Sequence, residues 1–290
     1  MNARTLRISA SHRRVGFRQR LASLPFYVLA LLVVAAFILP FSWMVSMAFK
    51  QPDEWFVTPP RLIPLHPTLA NFAGALDPIF LRYAFNSVVI SCTTTVVTIV
   101  FAVFSSYAFS RLRFPGRRQI FTITILTQLL PLVVLIIPIY RFFGEHHLVN
   151  TYLALVVSYL TFTVPVAVWL LRGFFISIPP DFEEAAKIDG CSQLGAFIRI
   201  VLPLSTPGIA STATYVFFTT WQEFLFALSL TTSQDMRTLP VGILGYVGEH
   251  YTQWGLLMAA SVLICIPVFF LFLVLQRQFV AGLVRGGVKG

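Results

Sequence analysis

Apolar runs of about 20 positions or more alternate with short polar segments along almost the whole chain. A helix rises about 1.5 Å per residue, so about 20 apolar residues cross roughly 30 Å of hydrocarbon. Six stretches reach that length: about 26–48, 85–110, 119–142, 152–172, 205–229 and 254–276. The pattern predicts an all-α polytopic membrane protein, with a basic arm over 1–24 and a transmembrane domain over 25–290. Prolines interrupt the runs at Pro131, Pro138, Pro165 and Pro267, where a missing backbone N–H favours a kink. The connection over 49–84 carries Pro59-Pro60, Pro64 and Pro67, which favour extended or turn geometry.

Composition agrees with a lipid environment. The 290 residues are 57% hydrophobic and 11% charged, with a mean hydropathy of +0.80, against roughly 25% charged residues in ordinary soluble domains. The net charge of +10 would suit nucleic acid if it covered one polar face. Instead the basic residues lie in short blocks beside apolar runs, as topology signals do. Sixteen of the 21 lysines and arginines fall in the N-terminal arm, the 111–118 and 172–199 connections, and the tail. Only Lys50, Arg61, Arg82, Arg141 and Arg237 fall in the other set. The positive-inside rule therefore places both termini and the 172–199 connection in the cytoplasm, and 49–84, 143–151 and 230–253 outside. Ser46-Met47-Ala48 offers a weak signal-cleavage site. The preceding apolar core exceeds the roughly 7–15 residues of a signal peptide, which favours a retained anchor helix. Cys92, Cys191 and Cys265 are too scattered for a disulfide framework or a zinc site. The five histidines all lie outside the runs, and adjacent His146-His147 lacks further ligands, so no metal site is expected.

Between the fourth and fifth runs sits Glu184-Ala185-Ala186-Lys187-Ile188-Asp189-Gly190, followed after ten residues by Ile200-Val201-Leu202-Pro203. Pro179-Pro180-Asp181 is expected to stop the preceding helix and offer Asp181 as an N-cap. Glu183 and Glu184 then fall in a first turn, where the helix dipole favours acid. Glu183 and Lys187 stand four apart, as a surface ion pair would. Phe182, Ala185, Ala186 and Ile188 supply an apolar surface, and Gly190 lets the chain turn. Charge and apolar surface on one short helix suit a protein docking site. Pro203 and Pro207-Gly208 mark re-entry into the membrane. Glu223 is the one acid inside a predicted span, some 18 residues in, or about 27 Å by helical rise. It is expected to face either a polar path through the membrane or a hydrogen-bonding partner on a neighbouring helix. Trp221 and Trp254 are expected as interface anchors. No G-x-x-x-x-G-K-[ST], H-E-x-x-H or G-x-S-x-G occurs, so no enzymatic activity and no ATP hydrolysis are expected on this chain.

The E-A-A-x3-G-x9-I-x-L-P spacing resembles the EAA loop of permease subunits in bacterial ATP-binding-cassette importers. Asn86-Ser87, Tyr107-Ala108, Arg113-Phe114-Pro115-Gly116-Arg117, Trp221-Gln222-Glu223-Phe224, Thr238-Leu239-Pro240-Val241-Gly242 and Gly286-Gly287-Val288-Lys289-Gly290 resemble its sugar-importing branch. That branch is typified by the second permease of the maltose system, and usually has alanine in place of Gly287. The resemblance covers about 25–290. It implies a multi-pass protein of the bacterial cell membrane that imports a sugar or oligosaccharide by alternating access. The implied partners are a second permease, two ATPase subunits carrying ATP and magnesium, an external solute-binding protein and the lipid bilayer, with no nucleic acid. It also implies that Glu184, Ala185, Ala186, Asp189, Gly190, Ile200, Leu202 and Pro203 form the ATPase-coupling segment. Asn86, Gln222 and Glu223 are candidate pathway residues. The alternatives are import of another small polar solute, or an ion-driven secondary carrier. A carrier would be expected to show repeated halves and mid-membrane ionisable residues, and the chain has no convincing half-chain repeat and no mid-span acid.

Six spans with both termini inside give a labelling prediction. Cysteines placed in 52–80 and 232–250 should react with an impermeant thiol reagent added outside sealed cells, and those in 112–118 and 183–199 should not. External modification in 183–199 would overturn the topology.

Overall fold

The computed structural model describes the backbone of residues 3–248 and 251–287, and the side chains of 25–248 and 251–274. The arm predicted over 1–24 and the tail motif 286–290 therefore lie outside the described side chains. Among the described residues the chain is helical, with one isolated antiparallel bridge at Val247 and Thr252. Helix α1 runs Ala3–Ala48, α2 Ala70–Ala75 and α3 Pro78–Arg111. Helices α4 (Arg117–Leu126) and α5 (Leu132–Glu145) are followed by α6 (Tyr152–Ser177) and α7 (Asp181–Ile188). Next come α8 (Gln193–Ala196), a wider π-type turn over Phe197–Val201, and α9 (Leu202–Leu204). Helices α10 (Thr206–Trp221), α11 (Leu225–Leu230), α12 (Leu239–Gly242) and α13 (Trp254–Gly287) complete the order.

Among the described residues four helical stretches are long and apolar enough to cross a membrane: Pro25–Ala48, Pro78–Arg111, Tyr152–Ser177 and Trp254–Val274. Two bent pairs raise the total to six if each is one span. The third predicted span, 119–142, is not continuous. Its halves, Arg117–Leu129 and Leu132–Glu145, meet at 99°. Leu130 is extended (ψ 128°) ahead of Pro131, which stands at the N-cap of α5; the residue before a proline avoids helical geometry. The fifth, 205–229, is broken too. Gln193–Leu204 meets α10 at 71°, and the helix stops again at Trp221 before resuming at Leu225. Pro138, Pro165 and Pro267 stay inside their helices. The second span begins earlier than its apolar run, because Asp77 caps it: Phe80 N–H donates to its carboxylate at 2.6 Å.

The chain divides into two compact units, 1–72 with 254–262, and 73–253 with 263–290. In the first, the loop after α1 folds onto the helix end. Asn71 donates to the carbonyls of Ala48 (3.0 Å) and Lys50 (2.8 Å), satisfying acceptors that the end of α1 leaves open. Lys50, 1% exposed, donates to the Arg61 carbonyl at 2.5 Å and lies 4.4 Å from the centre of the Trp43 ring. The Glu54 carboxylate accepts from Leu65 and His66 N–H, each at 2.8 Å. The Leu65 bond leads in holding its pKa below the ordinary value.

The second unit is built on α3, α6 and α10. Their contacts use small and hydroxylated residues, which let backbones approach where lipid supplies no hydrophobic drive. Thr98 and Thr163 share a hydrogen bond at 2.8 Å, and Ser106 donates to the Val168 carbonyl at 2.9 Å. Large apolar side chains such as Phe101, Phe104 and Trp169 point outward instead. This inside-out distribution is what a hydrocarbon solvent permits.

Candidate functional site

Helix α7 is shaped by the residues at its ends. Pro180, already helical at φ −63° and ψ −22°, occupies the N-cap. Asp181 is therefore the first helical residue and makes no capping bond, contrary to its expected N-cap role. The fixed ring starts the turn one residue early. At the other end Gly190 adopts φ +89°. Its N–H donates to the Lys187 carbonyl at 3.1 Å, and Cys191 N–H donates to that of Ala186 at 2.9 Å. Together these two bonds form a Schellman stop. A Cβ at residue 190 would meet no neighbour within 4 Å, so a substitution there suffers only the backbone cost of about 1–2 kcal/mol.

Glu183 does not pair with Lys187. It is 4% exposed and sits 2.5 Å from Arg111 Nε at the end of α3. That contact lacks hydrogen-bond angles, so its attraction is between charges. The Tyr107 hydroxyl donates to the other Glu183 oxygen at 2.9 Å. Arg111 Nη2 also donates to the Ile178 carbonyl at 2.6 Å, just before α7. An exposed lysine cannot match this desolvated, multiply bonded arrangement. Tyr107 packs, tilted by 39° and at 4.2 Å between ring centres, against Phe197, the first residue of the π-type turn, and Phe175 stands at the edge of both rings. Thus α3, α7 and the segment leading into α10 share one buried cluster.

The same helix turns its other face outward. Glu184, Ala185 and Asp189 are exposed, with Phe182 at 52% and Ile188 at 86%. Ala186 faces inward with Glu183. Beyond Gly190, Ile200 and Leu202 are half-buried and Pro203 is exposed. One face is clamped and the opposite face offers acid beside apolar surface.

The candidate pathway residues lie apart from this helix. Glu223 falls in the break between α10 and α11, and its oxygens accept from Phe226 N–H (2.8 Å) and Ala227 N–H (3.1 Å). It caps α11, and the buried Tyr159 hydroxyl lies beside it. Asn86 is wholly buried. It donates to the Asp235 and Arg237 carbonyls (2.7 and 2.8 Å) and accepts from the Tyr152 hydroxyl at 2.6 Å. Gln222 is exposed. Trp221 is not an interface anchor: it is 3% exposed, stacks on Phe217 and donates to the Ile264 carbonyl at 3.3 Å. The tertiary packing of α10 claims the ring first.

Two features escape a reading of the sequence. Arg111 registers there only as one topology charge among several, and its partner is remote along the chain. A cavity of about 210 Å³ at the break between α4 and α5, lined in part by Gln128, Tyr215 and Thr219, sits inside runs whose average is apolar. Its one sequence trace is a polar step of three to four residues along Ser211, Tyr215, Thr219 and Gln222.

Residues 96–285 match the family model described as the inner membrane component of binding-protein-dependent transport systems. The chain is 36% identical over 266 residues to the sulfoquinovosyl glycerol transport system permease protein SmoH of Agrobacterium fabrum, covering 91% of this chain and 93% of that one. It is 37% identical over 265 residues to the trehalose/maltose transport system permease protein MalG of Thermococcus litoralis, covering 90% and 95%. Its fold matches a chain of a bacterial ABC transporter that imports the acidic polysaccharide alginate. That match has a TM-score of 0.76 at 22% identity, over 90% of this chain and 98% of the other.

Two substitutions follow from the geometry. Arg111→Met leaves the Glu183 charge buried without its cation, a loss of about 3–5 kcal/mol, and should lower the thermal aggregation midpoint of the detergent-solubilised protein. Lys187→Met should leave that midpoint unchanged; equal losses from the two would restore the Lys187 pairing. Glu223→Gln keeps an acceptor for one of the two α11 N–H groups and should reduce membrane abundance in step with transport. Full abundance with altered transport would instead place Glu223 on the path.

Proposed function

The chain belongs to the family of inner membrane components of binding-protein-dependent transport systems, and on that footing we propose that it is a permease subunit importing a sugar or oligosaccharide. The sugar assignment draws on the substrates named for its relatives, sulfoquinovosyl glycerol and trehalose or maltose. In this reading it spans the membrane six times with both termini inside. It pairs with a second permease, binds two ATPase subunits through α7, and receives solute from an external binding protein. Energy enters from ATP and magnesium on the ATPase chains.

The observation that carries the reading is the two-sided character of α7. A helix of 8 residues is too short to be stable alone. Here its inner face is fixed by Glu183, Arg111 and Tyr107, while Phe182, Glu184, Ala185 and Ile188 are left facing out. A partner groove would bury the apolar groups, and Glu184 would supply a charge-assisted contact. Ala185 permits close approach. Asp189 and Gly190 end the helix, and Ile200, Leu202 and Pro203 carry the displacement toward α10. Alternating access then follows as rocking of the membrane helices. On the path side, Gln222 is the exposed member of the candidate set, and Asn86 and Glu223 shape the walls beside it.

Glu184→Lys reverses a charge on the outward face and leaves the buried clamp intact. The variant should insert at normal levels with the second permease and lose most of the co-purifying ATPase. Purification through a tag on this chain and quantification of the ATPase subunit checks it. Normal ATPase amounts, with normal stimulation of hydrolysis by loaded binding protein, would overturn the coupling role.

A further inference from the structure

Two arginines, one on α4 and one on α6, stand close together with no acid to answer them. Arg117, half-buried, opens α4 behind Gly116, which is left-handed at φ +76° and supplies no side-chain cap. Arg118 follows, so the first turn of α4 carries two cations and no acid, against the helix dipole. Arg172, also half-buried, holds its guanidinium 4.3 Å from the centre of the Phe121 ring of α4. It is near enough to Arg117 for the two charges to repel. Arg117 donates to the Leu112 carbonyl at 3.0 Å and Arg172 to the Phe109 carbonyl at 3.4 Å. A guanidinium has five N–H donors, so most remain for an anion. The ion pairs among the described residues, Arg111 with Glu183 and Arg141 with Glu145, involve neither arginine.

Beside this pair an apolar groove of about 650 Å³ lies between α4, α5 and α6, walled by Ile120, Ile123, Ile139 and Pro165. Ile120 is one turn past Arg117, and Pro165 is two turns from Arg172 on the same face of α6. Thr124, Thr127 and Thr161 also line the groove. Their hydroxyls donate to the carbonyls of Ile120 (2.9 Å), Thr124 (2.8 Å) and Ser158 (2.6 Å), so their protons are spent on the backbone. From Thr161 to Arg172 α6 rises about 16 Å, half of the roughly 30 Å of bilayer hydrocarbon.

We propose that this groove holds an acyl chain of an anionic phospholipid whose phosphate is bound by Arg117 and Arg172. Guanidinium groups match phosphate oxygens in pairs of hydrogen bonds. A lipid of net negative charge relieves the repulsion between the two arginines and complements the first turn of α4. A zwitterionic lipid brings its own cation to the same place and does so less well. The groove itself suits hydrocarbon: a polar solute would find its hydroxyls unpaired against this lining. The chain would fill the space beside the 99° bend of α4 and α5. The site goes beyond the permease reading and needs only that α4 and α6 lie in a bilayer.

The test uses the whole complex, purified through a tag on this chain and reconstituted into phosphatidylcholine vesicles. A trace of phosphatidylglycerol or of phosphatidylcholine, each with a diazirine in one acyl chain, is added and illuminated, and peptide mass spectrometry maps the cross-links. The phosphatidylglycerol probe should mark 120–139 and 161–165 roughly tenfold more than the phosphatidylcholine probe, the preference expected of two interfacial arginines. Unlabelled phosphatidylglycerol should compete, and inorganic phosphate at the same concentration should not. Arg117→Gln with Arg172→Gln should abolish the difference between the probes. Arg117→Lys with Arg172→Lys, which keeps both charges, should retain most of it. Equal marking by the two probes in the wild type, or marking confined to other helices, would overturn the site whether or not the glutamine pair accumulates. A preference that survives the glutamine pair, or competition by inorganic phosphate, would overturn it as well. Transport is not part of the readout, so the permease reading stands or falls separately.

Discussion

A chain surrounded by hydrocarbon must satisfy its backbone polar groups internally, and this constraint organises the molecule. Uninterrupted helices meet it automatically, as Pro78–Arg111 and Tyr152–Ser177 do. Each interruption needs a local remedy, and the remedies are specific side chains. At the α10–α11 break Glu223 accepts two N–H groups of the new helix. In the connections between spans the same kind of remedy recurs: at the end of α7 a left-handed glycine allows two N–H groups to return to open carbonyls. Asn71 does the same for α1 with a side-chain amide. Polar residues in these positions are first of all structural, and that is why an acid in a predicted span turned out to be a cap.

The short helix α7 has a division of labour between adjacent acids. Glu183 and Glu184 are neighbours, so a helix turns them about 100° apart and they cannot share a face. The inward acid meets Arg111 and Tyr107, and the outward one is free for a partner. A buried ion pair adds little net stability over an apolar substitute, yet losing one member is costly. Its use here is fixity: the clamp sets the direction in which the outward acid points, relative to the end of α3.

Sequence disclosed the number of apolar runs, the helical class and the α7 motif, because each is a local pattern in period or spacing. It did not disclose where runs bend. An average over a run does not register a break at Leu130, and four prolines look equivalent until Pro131 alone is seen to end a helix. Partnerships between distant positions were equally hidden. Glu183 had a plausible local mate in Lys187, and only the packing of α3 against α7 brings in Arg111. Trp221 met the profile of an interfacial aromatic, but its indole N–H is taken up by the Ile264 carbonyl inside the second unit. The polar stripe of α10 was present in the letters, diluted by the apolar residues that alternate with it.

These elements form a contiguous physical route. Glu183 ties α7 to Tyr107, Tyr107 packs against Phe197, and Phe197 opens the π-type turn that leads through Leu204 to the 71° bend before α10. Just past the bend, Gly208 lies so close to the Phe174 ring that a Cβ would stand 2.4 Å from it, so the start of α10 packs tightly on α6. Under the proposed coupling role, a displacement of α7 would pass through this aromatic contact to the bend and into α10. Wide π turns are frequent at functional sites because they relax helix geometry without losing hydrogen bonding altogether. The placement of one between the clamped helix α7 and the start of α10 suits the mechanical coupling proposed above.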